Sequence, residues 1–406
     1  MGMASGISAF PRAVRLGSTV ELTLETADGT AFSGDARDFT VRFFSKVDRS
    51  DDAKQEVCLD NTGVLRVTAA FREAGEYALE IRARGSEEVL ARPTFYAVKP
   101  ELAGLWPFKG DTHTHTTGSD GQNTVGEMLA RSRELGMDFV AVTDHDNYDP
   151  SCQGAQAAAA MGSGLLALKG EEIAIREIGG HVLALNTSIA VGGRRRFTPE
   201  TEGECAEIAR SLGGRKLRSP LTAETYAYAV WTMKNVRAAG GIAAMAHPYW
   251  EGSKGKYYPP RCVFEQLLAD GWIDAIELVG GSPSTEGNLL CVARFADELQ
   301  RGRRLPILGG SDAHAVADLG RKFTLVFADQ LTEDAVIRAI LDKRSVACDT
   351  GLGPDVAVFG SFDWVEYAYF LLRVYFPLHD RLCADAAQTG ADPQPELDAL
   401  RKRFWR

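Results

Sequence analysis

Hydrophobic and polar positions alternate with period two through the first hundred residues. Val20, Leu22 and Leu24 fall on one side of an extended segment, while Glu21, Thr23 and Glu25 fall on the other. Similar runs recur at 39–44, 64–71, 77–84 and 94–98, between turn-rich stretches such as Ala27-Asp28-Gly29 and Asn61-Thr62-Gly63. Short strands at this spacing, with no helical pattern between them, predict a small all-β, sandwich-like antiparallel domain over residues 1–104. Within it, Gly75-Glu76-Tyr77-Ala78-Leu79 resembles the tyrosine corner of immunoglobulin-like domains. The segment contains no histidine and no catalytic constellation.

After Lys99-Pro100 the rhythm changes to apolar strands alternating with helical segments, which marks an α/β domain over 105–350. Strands are predicted at 139–143, 165–168, 181–185, 242–246, 275–279 and 307–308. Thr124-Val125-Gly126-Glu127 reads as a capping box opening a helix that stops at Gly136. Tyr226, Val230, Met233 and Val236 mark one face of a later helix, and Leu289, Val292, Phe295 and Leu299 mark another. From 351 to 406 the chain turns aromatic and helical, predicting a helical extension packed on the preceding domain. His379 lies in this tail, either as a lid residue or as a packing histidine.

Composition narrows the class. With 406 residues, 45% hydrophobic and 25% charged, the chain has the balance of a globular protein of two or three domains. The formal charge of -10 argues against a nucleic-acid coat, and no stable nucleic-acid complex is expected. Arg194-Arg195-Arg196 and Arg301-Gly302-Arg303-Arg304 read as solvated faces. No run of about eighteen apolar residues predicts a membrane span. The first twenty residues lack a secretory core, and the seven scattered cysteines suit reduced thiols, so a cytoplasmic location is expected.

The chemistry lies in the histidines. Six of the seven fall at ends of the predicted strands, in Asp111-Thr112-His113-Thr114-His115, Asp144-His145-Asp146, His181, Ala246-His247-Pro248 and Ser311-Asp312-Ala313-His314. Acids accompany them at Asp120, in Glu171-Glu172 and at Asp312. In an extended segment His113 and His115 point to the same side and can share one cation. Strand-end residues converge on one face of a βα barrel, where such folds place their chemistry. Nitrogen and carboxylate donors without a nearby thiolate suit zinc, manganese or iron. Singly, each piece passes as a structural histidine or a turn aspartate; six histidines and three acids at successive strand ends do not pass as packing.

The ordered series HTHTTGSDG, AVTDHD, GEEI, HVLAL, AHP and GGSDAH, over about 107–350, resembles the PHP (polymerase and histidinol phosphatase) superfamily. The resemblance implies a distorted seven-stranded (β/α) barrel with two or three divalent metal ions. By the same resemblance His113, His115, Glu172 and Asp312 hold one metal, and Glu172 bridges to a second held by His181 and His247. Asp120, His145 and His314 then hold a third. Glu172 is preferred to Glu171 because it directly precedes Ile173 in the motif, and its neighbour alternates to the other side. Asp120 stands where some members have histidine, as in the branch acting on small nucleotide phosphates and short RNA. The leader ending Pro107-Phe108-Lys109-Gly110-Asp111, with the tail Tyr375-Phe376-Pro377-Leu378-His379-Asp380, also resembles CehA/McbA-type metallohydrolases, which include hydrolases of an aryl carbamate.

The resulting expectation is a hydrolase whose metal-bridged hydroxide attacks a small phosphate ester or nucleotide. A carbamate or carboxylic ester is the alternative substrate, favoured by an apolar pocket of Tyr249, Trp250 and Tyr258. A non-catalytic, metal-stabilised binding protein is the third reading, with the β domain contacting an unknown partner protein. Asp144 and Asp146 either orient a ligand histidine, shuttle a proton or cap a turn. Arg261 and Lys254, in the loop after His247, either contact phosphate or are surface charge.

Overall fold

The computed structural model describes residues 7–26, 38–47, 54–60, 64–193, 198–252, 255–281 and 285–405. The turns at 27–29 and 61–63, Arg194-Arg195-Arg196 and Lys254 lie outside the described residues. The chain divides into two compact units. One comprises Met1–Gly104, Tyr369–His379 and Gln394–Arg406, and the other Leu105–Ala368 with Asp380–Pro393. The tail, expected as one extension, is thus distributed between the two.

In the first unit the period-two pattern becomes strands β1 (Ile7–Phe10), β2 (Ala13–Arg15), β3 (Thr19–Thr26), β4 (Asp38–Ser45), β5 (Lys54–Cys58), β6 (Leu65–Ala70), β7 (Gly75–Ala83) and β8 (Thr94–Val98). They form sheets of order β1-β3-β6 and β2-β8-β7-β4-β5. Pairing is antiparallel except between β2 and β8. Val20, Leu22 and Leu24 are buried with Leu65 and Val67, in one core with Val41, Leu79 and Ile81 of the other sheet. The alternation puts the apolar set inside and leaves Glu21 and Arg66 to pair outside, at 3.0 Å. Tyr77 donates its hydroxyl back to the Glu73 carbonyl at 2.8 Å, the bond a tyrosine corner makes.

The second unit begins with β9 (Trp106–Thr114), α1 (Val125–Glu134), β10 (Phe139–Val142), α2 (Asp149–Met161) and β11 (Leu166–Leu168). It continues through β12 (Gly170–Ile175), β13 (Gly180–Leu185), α3 (Pro199–Ser211), α4 (Ala223–Ala238), β14 (Ile242–Met245), α5 (Arg261–Asp270) and β15 (Ala275–Val279). Then follow α6 (Thr285–Gln300), β16 (Ile307–Gly309), β17 (Lys322–Ala328), α7 (Glu333–Leu341), β18 (Ser345–Asp349) and β19 (Ala357–Phe359). The tail forms α8 (Phe362–Val374), α9 (Phe376–Thr389) and α10 (Gln394–Phe404).

The ladders of the second unit draw two sheets, β11-β10-β9-β17-β18-β19 and β12-β13-β14-β15-β16, where one seven-stranded barrel was expected. Nor is the sheet all parallel. β12 and β13 pair antiparallel because their short connection admits only a hairpin, β14 also runs antiparallel to β13, and β17 runs antiparallel to both β9 and β18. Isolated parallel bridges at Thr114–Ala313 and His145–Glu172 link strand ends, and both involve the histidine motifs.

The helices obey their local signals. Thr124 caps α1 reciprocally with Glu127, and Gly136 beyond its end takes a left-handed φ of 75°. Tyr226, Val230, Met233 and Val236 of α4 are buried. The face expected for α6 is rotated. Leu289 and Leu299 are exposed, whereas Cys291, Phe295 and Glu298 at helical spacing face inward. The carboxylate of Glu298 displaces leucine from that stripe because it anchors arginines there. Among the described residues no helix is long and apolar enough to cross a membrane.

Candidate metal centre

Strand ends bring the histidine motifs together. The end of β9 carries His113 and His115, and the loops after β10, β14 and β16 carry His145, His247 and Asp312 with His314. β12 and β13 supply Glu172 and His181. Three groups have donor atoms all within 4.8 Å of one another: His113, His115, Glu172 and Asp312; His145, Glu172 and His181; and His115, Asp120, His145 and His314. His247 joins through its Nε2, 3.0 Å from Glu172 Oε1. The nine residues expected as ligands therefore converge, and His115, His145 and Glu172 are each shared between groups.

The donor set fits divalent cations. Glu172 Oε2 has His145 Nδ1 at 3.1 Å, His113 Nε2 at 3.2 Å and His115 Nε2 at 3.3 Å. Yet this buried oxygen has no aligned hydrogen-bond partner, and neither do the Nδ1 atoms of His145, His181 and His247. His113 Nε2 and His115 Nε2 face each other at 3.1 Å. Ring nitrogens converging on one another and on an orphaned carboxylate oxygen present lone pairs to a common point, as ligands do.

Electrostatics agree. Burial would lower the His113 pKa, but Glu172, Asp312 and Glu277 hold it well above its ordinary value. Against the same burial, Asp312 and Glu172 raise His115 to about 9. Burial alone would raise Glu172, yet His181 and His113 hold it well below the usual carboxylate range. Protons here stand in for positive charge that cations would supply.

The backbone is forced at the ligands. His247 and Asp312 have φ of 27° and 52°, a region that non-glycine residues enter at a cost of about 1–3 kcal/mol. Such strain persists where surrounding contacts over-determine it. At His247 the backbone N–H donates to Glu277 Oε2 at 2.7 Å.

The family model for the PHP domain matches residues 111–303, and that for the PHP-associated segment matches 293–345. This chain carries a PHP domain. It is 28% identical over 199 residues to the 5'-3' exoribonuclease Rnm of Salmonella typhimurium, covering 42% of this chain and 62% of that protein. It is 38% identical over 69 residues to the DNA polymerase/3'-5' exonuclease PolX of Bacillus subtilis, covering 17% of this chain and 11% of that one. The chain thus spans less than two thirds of the length of these relatives. Among solved structures, a two-domain protein of Bacteroides vulgatus containing a predicted PHP-like metal-dependent phosphoesterase aligns at 19% identity and TM-score 0.42, over 60% of this chain and 65% of that one.

Around the PHP cluster the structure places further acids. Asp144 is buried and accepts from Thr116 N at 2.8 Å, Thr116 Oγ1 at 2.6 Å and Ser119 Oγ at 2.6 Å, which binds it to the loop between His115 and Asp120. It positions that loop and, among the described residues, makes no hydrogen bond to a histidine ring. Asp146, at φ 49°, accepts from Ala174 N at 3.2 Å and sits against Gly192. Glu171 points away from the cluster as expected, accepting from Val191 N at 2.5 Å and Gly192 N at 3.0 Å. Arg261 is not brought to the metal ligands. It opens α5, exposed, and its Nε donates to Glu265 at 2.8 Å. His379 is fully buried between the rings of Tyr375 and Phe376, and the neighbouring Asp380 pairs with buried Lys109 of β9 at 2.7 Å.

Two acids were missed. Glu277, buried in β15, accepts from His113 Nδ1 at 2.9 Å as well as from His247 N, and so orients two of the candidate ligands. Its signal was present: one carboxylate inside the otherwise apolar run Ala275-Ile276-Glu277-Leu278-Val279. Asp111 accepts from His113 N at 3.2 Å and Ser311 N at 2.9 Å, and burial pushes its carboxyl up to about 6.

Proposed function

We propose that this chain is a metal-dependent hydrolase of the phosphoesterase class acting on a small phosphate ester or nucleotide. The observation that carries the reading is the sharing of Glu172, His115 and His145 between three donor groups, which suits two or three neighbouring cations rather than one structural ion. When bound, such cations polarise a phosphoryl group and lower the pKa of water. His113, His115, Glu172 and Asp312 would hold one, His181 and His247 with Glu172 a second, and Asp120, His145 and His314 a third. Donors of nitrogen and oxygen favour zinc, manganese or iron. The chain's own part is orientation: Glu277 fixes the tautomer and angle of His113, and Asp144 fixes the loop that carries Asp120. The exoribonuclease and exonuclease relatives support phosphorus as the electrophile. We read the two sheets as halves of a distorted barrel joined at the His145–Glu172 and Thr114–Ala313 bridges. The odd number and scattered placement of the seven cysteines support a reducing, cytoplasmic compartment.

One observation favours the ester or carbamate alternative. Tyr258 lies edge-on to His181 with ring centroids 4.9 Å apart, and Trp250 lies edge-on to His247 at 5.7 Å. Tyr249, the third residue named for an apolar wall, is buried against Tyr257 and Phe264.

Metal analysis of the purified chain, with a hydrolysis screen of nitrophenyl phosphate, a phosphodiester, a nucleoside bisphosphate and short RNA against aryl ester and aryl carbamate, tests both readings. Two or three metals per chain, with phosphate release lost in His113→Ala, is the expected result. Turnover confined to the ester or carbamate overturns phosphorus as the target. A chain that stays metal-free in metal-replete medium overturns the site.

A further inference from the structure

A second concentration of charge lies on the second unit and shares no residue with the metal ligands. A cavity of about 260 Å³ is lined by Arg218, Arg261, Arg294, Arg301 and Arg303, with the carboxylates of Glu265 and Glu298. Five guanidinium groups against two carboxylates leave an excess of three positive charges in a chain whose net charge is -10. Asp297, outside the lining and 3.8 Å from Arg294 Nη1, is half-exposed and reduces this excess to two.

The carboxylates act as a floor. Glu298 is 1% exposed and takes Arg301 at 3.0 Å on one oxygen and Arg303 on the other. Glu265 takes Arg261 and Arg294, each at 2.8 Å, on Oε1 and Arg218 at 3.0 Å on Oε2. Both oxygens of each acid are therefore engaged by arginines, while Arg218, Arg261, Arg301 and Arg303 remain about half exposed. Each guanidinium carries five N–H donors in a planar fork, and the four carboxylate oxygens engage only a minority of them. Ion pairs that merely solvate a surface pair charges one to one. Here one buried acid and one partly buried acid hold more cations than they neutralise, and all five arginines line the cavity. The inward turn of Glu298 on α6, beside Leu299, which was expected to face inward, is part of the same construction.

We propose that this arginine cavity binds a polyanion through its phosphate groups, of the pyrophosphate type. Guanidinium forks match phosphate oxygens bidentately, and an excess of two to three charges calls for a multiply charged group. The volume suits a phosphate tail more than a whole nucleotide. The basic stretch at 301–304 and Arg261, which the metal site does not use, find their role here, separate from catalysis.

The test is calorimetric titration of inorganic pyrophosphate into the full chain after chelation of metals, so that pyrophosphate cannot report on bound cations. Saturable binding at one equivalent is expected, weakening as salt rises. The pair Arg261→Gln with Arg303→Gln should weaken it at least tenfold, whereas His113→Ala should leave it unchanged. A single Arg261→Lys variant, which keeps charge but loses the fork, should fall between, and thermal unfolding of each variant reports its folding. ADP and a 5'-phosphorylated oligonucleotide then distinguish sources: equal affinity assigns the phosphates of a small molecule, and an oligonucleotide bound tenfold more tightly than ADP assigns a strand. No saturable binding, or binding that the double variant leaves intact, overturns the proposal. Because His113→Ala abolishes the proposed hydrolysis but not this binding, the two readings fail independently.

Discussion

Asp144 and Glu277 hold the proposed metal ligands without belonging to the donor groups, and their geometry sets what removing them does. Asp144 accepts three short bonds from Thr116 and Ser119, and hydrogen bonds to charged acceptors contribute about 1.5–3 kcal/mol each. Asp144→Asn keeps the shape but exchanges acceptor oxygen for a donor that faces N–H and O–H groups. The variant should lower metal affinity about 10–100-fold, as loss of an orienting partner does. A metal titration followed by calorimetry checks this, and unchanged affinity would remove Asp144 from its positioning role. Glu277→Gln acts differently, because its two oxygens serve His113 and His247 at once. Loss of the charge beside His113 should lower that imidazole's pKa in the metal-free protein, read by NMR titration of the ring, and metal affinity should fall over the same range. The six histidines were legible because they fall at predicted strand ends, while the full set of nine with Asp120, Glu172 and Asp312 came from the resemblance of the motifs to a known family. Glu277 and Asp111 were not legible, since a single acid within an apolar strand announces burial but not the partner that satisfies it.

At the scale of elements the site depends on how closely β16 approaches β9 and β15. A Cβ on Gly310 would lie 2.5 Å from Glu277 Oε1 and 2.6 Å from His113 Cβ. Both neighbours are buried and fixed, so nothing flexible can move aside. Gly310→Ala should therefore destabilise the fold by about 1–3 kcal/mol, the range for overpacking a core. It should also loosen metal binding more than Gly126→Ala in α1, where a Cβ meets nothing within 4 Å. Denaturant unfolding of the two variants side by side decides the point: equal stability would show that the glycine spaces nothing. Element boundaries followed local patterns well in β3, β6 and α1, where burial has one clear period. The pairing directions did not. β13 and β14 read as buried apolar runs, and a run buried on both faces carries no mark of whether its neighbour is parallel or antiparallel; β12, with Glu171-Glu172, was not among the predicted strands. α6 misled for another reason, since its inward stripe contains Glu298, which hydrophobic periodicity assigns to solvent.

For the whole molecule, protons and cations compete for one cluster, and this fixes the pH dependence of stability. His115 has its pKa raised to about 9 in the metal-free site, against about 6.5 when unfolded. The folded state therefore binds the proton more tightly. That contribution is fully present below about 6.5 and is lost as pH rises through about 9. His113, raised in the same direction by Glu172, Asp312 and Glu277, adds to it. Cation binding needs both rings neutral, so it releases protons and strengthens over the pH interval in which the metal-free protein weakens. The chelated chain should accordingly show a thermal midpoint that falls between pH 6.5 and 9, while the metal-loaded chain holds or gains. The gap between the two should widen with pH. Scanning calorimetry of both forms at matched ionic strength reads the gap directly, and calorimetric titration in buffers of different ionisation enthalpy counts the protons displaced. A gap independent of pH would mean that the rings are neutral before metal arrives, and that Glu172 and Asp312 face them without holding protons there.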